Sequence, residues 1–191
     1  MKKYLVFSLI SFMFLYGAAM ASNEEAVFAG GCFWCVQHDF DSTPGVISTT
    51  VGYTGGDVPS PDYEEVSSGR TGHREAIRVV FDPEKLGYEK LVDIFWHMID
   101  PTRNDGQFGD TGSQYRPAIF YSNEDQKKVA VASKERVAKE MPAVYVDILP
   151  LKTFYPAEEY HQEYYKKCPL RYKLYQAGSG REKQLRQVWN R

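Results

Sequence analysis

Two cysteines three residues apart, Cys32 and Cys35, lie in the run Gly30-Gly31-Cys32-Phe33-Trp34-Cys35. The chemistry such a run could do is thiol chemistry. Paired glycines give a sharp approach, and the first thiol falls where a helix begins, whose positive end favours a thiolate. A second thiol one helical turn on can exchange with the first, and Phe33 with Trp34 could form an apolar wall beside them. A buried structural cysteine at a strand-helix junction is the plainer reading, but it leaves two thiols flanking two aromatics unaccounted for. Two other chemistries share the motif. A zinc module would draw on Cys32, Cys35, His38 and His73, yet their spacing matches no common closed zinc site. A disulfide exchanger of the thioredoxin kind also uses Cys-x-x-Cys, although Gly31, and not the Trp of a thioredoxin-like Trp-Cys opening, precedes the first cysteine.

The elements that must hold these residues can be read from periodicity. Residues 26–29 are a short buried strand ending at Gly30-Gly31, and from Cys32 the apolar positions Phe33, Val36 and Phe40 recur at helical spacing until the turn residues 41–45. Residues 46–53 and 75–81 read as further strands, separated by a Gly, Pro, Asp and Ser loop over 54–62. Tyr88 to Ile99 has helical periodicity, and the polar stretch 100–116 is too long for a simple connection. A fourth strand over 118–121 precedes a helix to about Glu140, with Ser122 and Asp125 as a capping box. A fifth strand over 144–149 and a helix over 157–167 follow, and 171–191 is an irregular, aromatic-spotted tail. This order predicts an α/β (α+β) protein: a split β-α-β, ferredoxin-like two-layer sandwich on a mainly antiparallel sheet.

The ends and the composition narrow the setting. Lys2 and Lys3, the apolar run from Tyr4 to Tyr16 and Ala19-Met20-Ala21 have the order of a cleavable export signal over 1–21, which leaves one domain over 22–191. The run is shorter than a membrane span needs, and no cysteine stands at the junction for a lipid. The product is expected to be exported, periplasmic or secreted, free of the membrane. With 43% hydrophobic and 15% aromatic residues the chain can build a real core. Losing the leader takes the net charge from −2 to −4, and no basic tract fits nucleic acid. Three cysteines, Cys32, Cys35 and Cys168, make no disulfide framework.

Beyond the cysteine run, the chain carries Val51-Gly52-Tyr53 with Gly55-Gly56, Tyr63-Glu64-Glu65-Val66, Gly69 with Thr71-Gly72-His73, and Glu75. Further on come Asp110 with Gly112, Gln114-Tyr115-Arg116, and Tyr160-His161-Gln162. In this order, over roughly residues 30 to 163, the pattern resembles the type A peptide methionine sulfoxide reductases. The resemblance implies reduction of free or peptide-bound methionine S-sulfoxide, with no metal and no bound cofactor. It implies Cys32 as the nucleophile that becomes a sulfenic acid and Glu75 as the proton donor. Tyr63 and Tyr115 would hydrogen-bond the sulfoxide oxygen, and Phe33, Trp34 and Asp110 would hold the substrate. A second thiol then condenses with the sulfenic acid. Cys35, standing where relatives often have glycine, is the first candidate for that resolving thiol, and Cys168 is the alternative because many relatives resolve with a cysteine near the C-terminus. A thioredoxin-like protein is the expected reductant, and a monomer the expected state. His38, His97 and His161 read as packing or solvent-facing residues, His73 as shaping the Glu75 loop, and Gln114 with Arg116 as ties between the long loop and the sheet.

Overall fold

The computed structural model describes residues 22–189. The segment expected to be an export signal lies outside the described residues. Strands β1 (Glu24–Ala29), β2 (Val46–Thr54), β3 (Arg74–Phe81), β6 (Ala118–Tyr121), β7 (Asp147–Pro150) and β8 (Tyr155–Pro156) form one sheet in the order β7-β6-β1-β3-β2-β8. Every pairing is antiparallel except β6 with β7. The mixed α/β architecture on a mostly antiparallel sheet is therefore observed.

Strand period divides the side chains between two faces. Ala26 and Phe28, Val51 and Tyr53, Ile77, Val79 and Phe81, and Ile119 point to a core shared with helices α1 (Phe33–Asp41), α3 (Tyr88–Trp96) and α4 (Glu124–Val137). Phe28 is fully buried at its centre, its ring stacked on Phe40 at 5.4 Å and Phe95 at 4.7 Å. The alternate residues Val27, Ala29, Ala76, Ala118 and Phe120 face the other way. The chain runs from β7 at one edge to β8 at the other, and Leu149, Leu151 and Phe154 pack over that face on the way.

Several elements differ from the sequence expectation. The helix cap after β6 is Asn123, whose side chain accepts from Gln126 N, while the Ser122 hydroxyl bonds the Gln126 side chain instead. The strand expected over 144–149 begins only at Asp147. The loop over 54–62 leads into a one-turn helix, α2 (Tyr63–Ser67), fixed by a capping box between Asp62 and Glu65. The long 100–116 stretch holds a two-residue hairpin, β4 (Gly106–Gln107) with β5 (Asp110–Thr111), and a 3-10 turn over Ser113–Tyr115. Most of the helix expected over 157–167 is turns, with helix only at α5 (Tyr164–Lys167). The tail expected to be irregular is two helices, α6 (Pro169–Gly178) and α7 (Arg181–Val188). Short helices of this kind are marginal alone and depend on tertiary packing, which periodicity cannot reveal. Among the described residues no helix is long and apolar enough to cross a membrane.

Phe28→Ala removes the ring on which two helices meet the sheet. We expect a loss of about 3–5 kcal/mol in urea unfolding, as for other buried aromatic truncations. A loss below about 1 kcal/mol would show that the core closes without it.

Candidate active site

Helix α1 has an unusual start. Cys32 is its N-cap, and the Cys32 carbonyl accepts from Cys35 N at 3.2 Å, but the Cys32 side chain makes no capping bond. The free N–H of the first turn is satisfied from the sheet: Phe33 N donates to Glu75 Oε2 at 3.0 Å. Glu75 can reach it because β3 alternates, and Glu75 shares the inner face with Ile77, Val79 and Phe81. Gly31 makes the approach possible. Its φ is +87°, and an added Cβ would stand 2.6 Å from the Gln107 Cβ. The backbone therefore turns at Gly31 against the hairpin loop and delivers Cys32 beside the carboxyl.

Two influences on Glu75 oppose each other. The Phe33 N–H favours the carboxylate, whereas burial at 3% exposure disfavours it, and burial wins. The carboxyl is pushed up from 4.5 to about 8, with the nearby Asp110 and Cys35 adding to the rise. Glu75 is thus a neutral acid at pH 7. Burial also pushes the Cys32 thiol well up, assisted by its hydrogen bond to Cys35 and by the charge of Glu75. This corrects the expectation that the helix N-terminus would lower it: at this site desolvation outweighs the helix dipole. The thiol pulled down is Cys35, first through its hydrogen bond from Cys32 and then through the Arg181 guanidinium, with burial opposing.

Aromatic side chains enclose this acid and thiol. Trp34 stacks on Tyr164 with ring centroids 3.8 Å apart and nearly parallel planes, and its indole N–H donates to His161 Nδ1 at 3.1 Å. Trp34 is thereby fixed rather than free to swing. His161 is buried and kept neutral by that burial, as a ring accepting from the indole must be. It packs on Phe33 at 5.1 Å and on Tyr63 at 4.5 Å. Tyr63 and Tyr115 lie within hydrogen-bond reach of one another and both feel the charges of Glu75 and Cys32. Burial raises both phenols, Tyr63 to about 12, so both stay protonated donors at neutral pH.

Asp110 is half-buried at the hairpin, and its Oδ2 accepts the Tyr175 hydroxyl. Tyr175 also borders the Cys32 sulfur, so helix α6 contributes to the enclosure. Gln162 secures the segment carrying His161: its side chain amide accepts from Val51 N at 3.0 Å and donates to Val51 O at 2.9 Å, extending the β2 edge. Glu158 ties the same segment down by accepting from Tyr53 Oη and Tyr63 N, each at 2.8 Å.

Cys32, Phe33, Trp34, Cys35, Tyr63, Glu75, Asp110 and Tyr115 therefore converge on one place. Cys35 contacts the Cys32 side chain directly, whereas Cys168 sits at the junction of α5 and α6. Sequence reasoning missed Tyr175, Tyr172 and Arg181, all in the tail, and read His161 as packing or solvent-facing, whereas it is buried and holds Trp34. A signal was present: Pro169 at the first helical position and Gly178-Ser179-Gly180 at the end bracket a helix that puts Tyr172 and Tyr175 on one side. His73 is occupied by Gly56 N and Val58 O, and His38 by Asp39. Among the described residues no group of three or more metal-ligating side chains gathers. Gln114 bonds Ser67 O at 3.2 Å, and Arg116 and Arg74 meet Asp147 at 3.4 and 2.5 Å, as ties between loop and sheet.

The family model described as peptide methionine sulfoxide reductase matches residues 24–191. The chain belongs to the peptide methionine sulfoxide reductase family. Peptide methionine sulfoxide reductase MsrA of Bacillus licheniformis is 51% identical over 176 residues, covering 90% of this chain and 97% of that protein. Among solved structures, Mxr1 from Saccharomyces cerevisiae in reduced form superposes with a TM-score of 0.72 at 33% identity, over 85% of this chain and 94% of that one. Mxr1 in complex with Trx2 superposes with a TM-score of 0.52 at 26% identity, over 82% and 94% of the two chains. The three cysteines of this reductase are free.

A raised carboxyl affects stability in a definite direction. Between pH 4.5 and about 8 the folded protein holds a proton on Glu75 that the unfolded chain has lost, so stability falls as pH rises through that window. We expect Glu75→Gln to flatten this slope, measured by denaturant unfolding at pH 5 and pH 8. An equal slope in both proteins would mean that Glu75 is not the titrating group.

Proposed function

We propose that Cys32 attacks the sulfur of a bound methionine S-sulfoxide while Glu75 gives its proton to the sulfoxide oxygen. The enzyme is a thiol-dependent methionine sulfoxide reductase that repairs oxidised methionine, free or in proteins. One observation carries the assignment of roles: a carboxyl held neutral by burial, 3.0 Å from the N–H of the residue that follows Cys32. A proton donor for an oxygen that must leave sulfur has to be neutral at the working pH and adjacent to the nucleophile. Attack forms an S–S bond between Cys32 and the substrate sulfur; the substrate S–O bond then breaks and the oxygen leaves as water, carrying the protons of Glu75 and of the Cys32 thiol. A water adds to the Cys32 sulfur as the S–S bond breaks, which leaves a sulfenic acid on Cys32, oxidised by two electrons, the sulfoxide reduced to the thioether, and a proton that restores Glu75.

The neutral phenols of Tyr63 and Tyr115 are donors for the sulfoxide oxygen, and Phe33 and Trp34 supply apolar contact for the methyl group. Asp110, held by Tyr175, orients the substrate backbone. Cys35, already in contact with Cys32, resolves the sulfenic acid as a disulfide, and Cys168 is the alternative. A thioredoxin-like protein reduces that disulfide, a reading supported by the likeness to Mxr1 in complex with Trx2. In our reading the protein is one exported domain over 22–191 after removal of 1–21, acting as a monomer, on a sandwich whose central strands have the ferredoxin-like order.

The roles separate in two variants. Cys32→Ser abolishes methionine release, whereas Cys35→Ser releases about one methionine per enzyme and then stops with thioredoxin as reductant. Steady thioredoxin-driven turnover by Cys35→Ser would transfer the resolving role to Cys168. Glu75→Gln lowers the rate of the first turnover by about 10²–10⁴ at pH 7, as loss of a general acid does. A first turnover within about threefold of the native rate would remove Glu75 from the proton path.

A further inference from the structure

The last helix places a buried cation next to the second thiol. Arg181 opens α7, is 4% exposed, and reaches α1, where its Nη2 lies 2.5 Å from Asp39 Oδ2; its guanidinium also sits 5.0 Å over the Phe108 ring. Asp39 follows Cys35 by four residues, so both occupy one stripe of α1 and the guanidinium stands along it. From α6 the buried Tyr172 sends its hydroxyl to the same spot, where the oxygen borders the Cys35 sulfur and has no other hydrogen-bond partner. None of the roles assigned above uses these three groups. A buried ion pair is weak evidence of a stabilising role, since apolar residues of similar size often do as well. A cation beside a thiol, in contrast, has a chemical consequence, because it favours the thiolate.

We propose that Arg181 is a positioning residue that presents Cys35 as a thiolate for closing the Cys32–Cys35 disulfide, with the Tyr172 hydroxyl as a second donor toward that sulfur. The inference rests on Cys35 being the resolving thiol. In the step, the Cys35 sulfur gives an electron pair to the Cys32 sulfur, the S–S bond forms, and the S–O bond of the sulfenic acid breaks. Hydroxide leaves and takes a proton from solvent to become water. Cys35 is oxidised and Cys32 reduced, with no other reactant. The sulfenic acid comes from the reductase reaction itself. When an incoming thiol later attacks Cys32, Cys35 departs as the same stabilised thiolate.

The groups facing Cys35 are Cys32, His38 and Asp39 on or beginning α1, Glu75 on β3, Tyr172 on α6 and Arg181 on α7. Arg181 pulls the Cys35 thiol down more strongly than Asp39 pushes it up. The two members of one ion pair thus act on Cys35 in opposite directions, which separates a chemical role from a structural one.

The experiment follows disulfide closure in the full protein after a stoichiometric pulse of methionine sulfoxide, quenching with a thiol-alkylating reagent across pH 6 to 9. With Arg181→Met, closure at pH 7 is expected to slow about tenfold and its pH midpoint to rise by about one unit. Arg181→Lys, which keeps the charge, is expected to recover most of the rate. Asp39→Asn is expected to move the midpoint down. Where Arg181→Met does not fold, the paired variant Arg181→Gln/Asp39→Asn leaves no stranded charge and is expected to close slowly as well. Midpoints that stay at the native value, or that move the same way for Arg181 and Asp39 variants, would overturn the proposal. Native-rate closure onto Cys168 in Cys35→Ser would instead overturn the assignment of Cys35, independently of Arg181.

Discussion

The site depends on one hydrogen bond between a strand and a helix start. Phe33 N donates to a carboxyl oxygen of Glu75, 42 residues away, and this bond joins the acid on β3 to the turn of α1 that begins with Cys32. A local cap of Ser, Thr, Asp or Asn would have accepted from the second or third N–H of the helix, not from that of Phe33, its first residue. A cysteine stands there instead, leaving the helix end to a distant carboxyl. The helix needs the acceptor, and the acceptor must be buried to reach the helix. The same geometry therefore builds the element and sets the protonation of the acid.

Two contests of magnitude follow from this arrangement, and burial decides both. Helix dipole and N–H donation favour a carboxylate at Glu75 and a thiolate at Cys32, but desolvation exceeds them and keeps both groups neutral. Of the two thiols Cys35 is the one pulled down, by the Cys32 S–H and by the Arg181 guanidinium. The two thiols are consequently unlike each other before any substrate arrives. One sits beside a proton donor and phenols suited to a sulfoxide oxygen. The other sits beside a cation suited to a thiolate. Trp34, pinned between His161 and Tyr164, gives the first a rigid apolar wall.

The strands and the main helices were legible in the sequence because their residues alternate or recur against a core. Phe28, Ile77, Val79 and Phe81 fall on one face by period alone, and that face carries Glu75 with it. The fold expected from element order agrees with the observed sheet in class and in its mostly antiparallel pairing. The parts that escaped owe their form to distant partners. Helices α6 and α7 are short, and they lie against α1 through Tyr172, Tyr175 and the Arg181–Asp39 pair. The direction of the Cys32 shift escaped for the same reason: a helix start is visible in sequence, whereas the depth at which it is buried is not.

The claim beneath this account is that Glu75 is a carboxylic acid, not a carboxylate, at neutral pH. Carbon-13 NMR of the side-chain carboxyl, assigned by loss of its signal in Glu75→Gln, reads that state directly across pH 4 to 9. The account predicts a titration midpoint near 8, in line with a carboxyl pushed up to about 8 by burial. A midpoint near the ordinary value of 4.5 would contradict it and would leave Cys32 without a proton donor beside it.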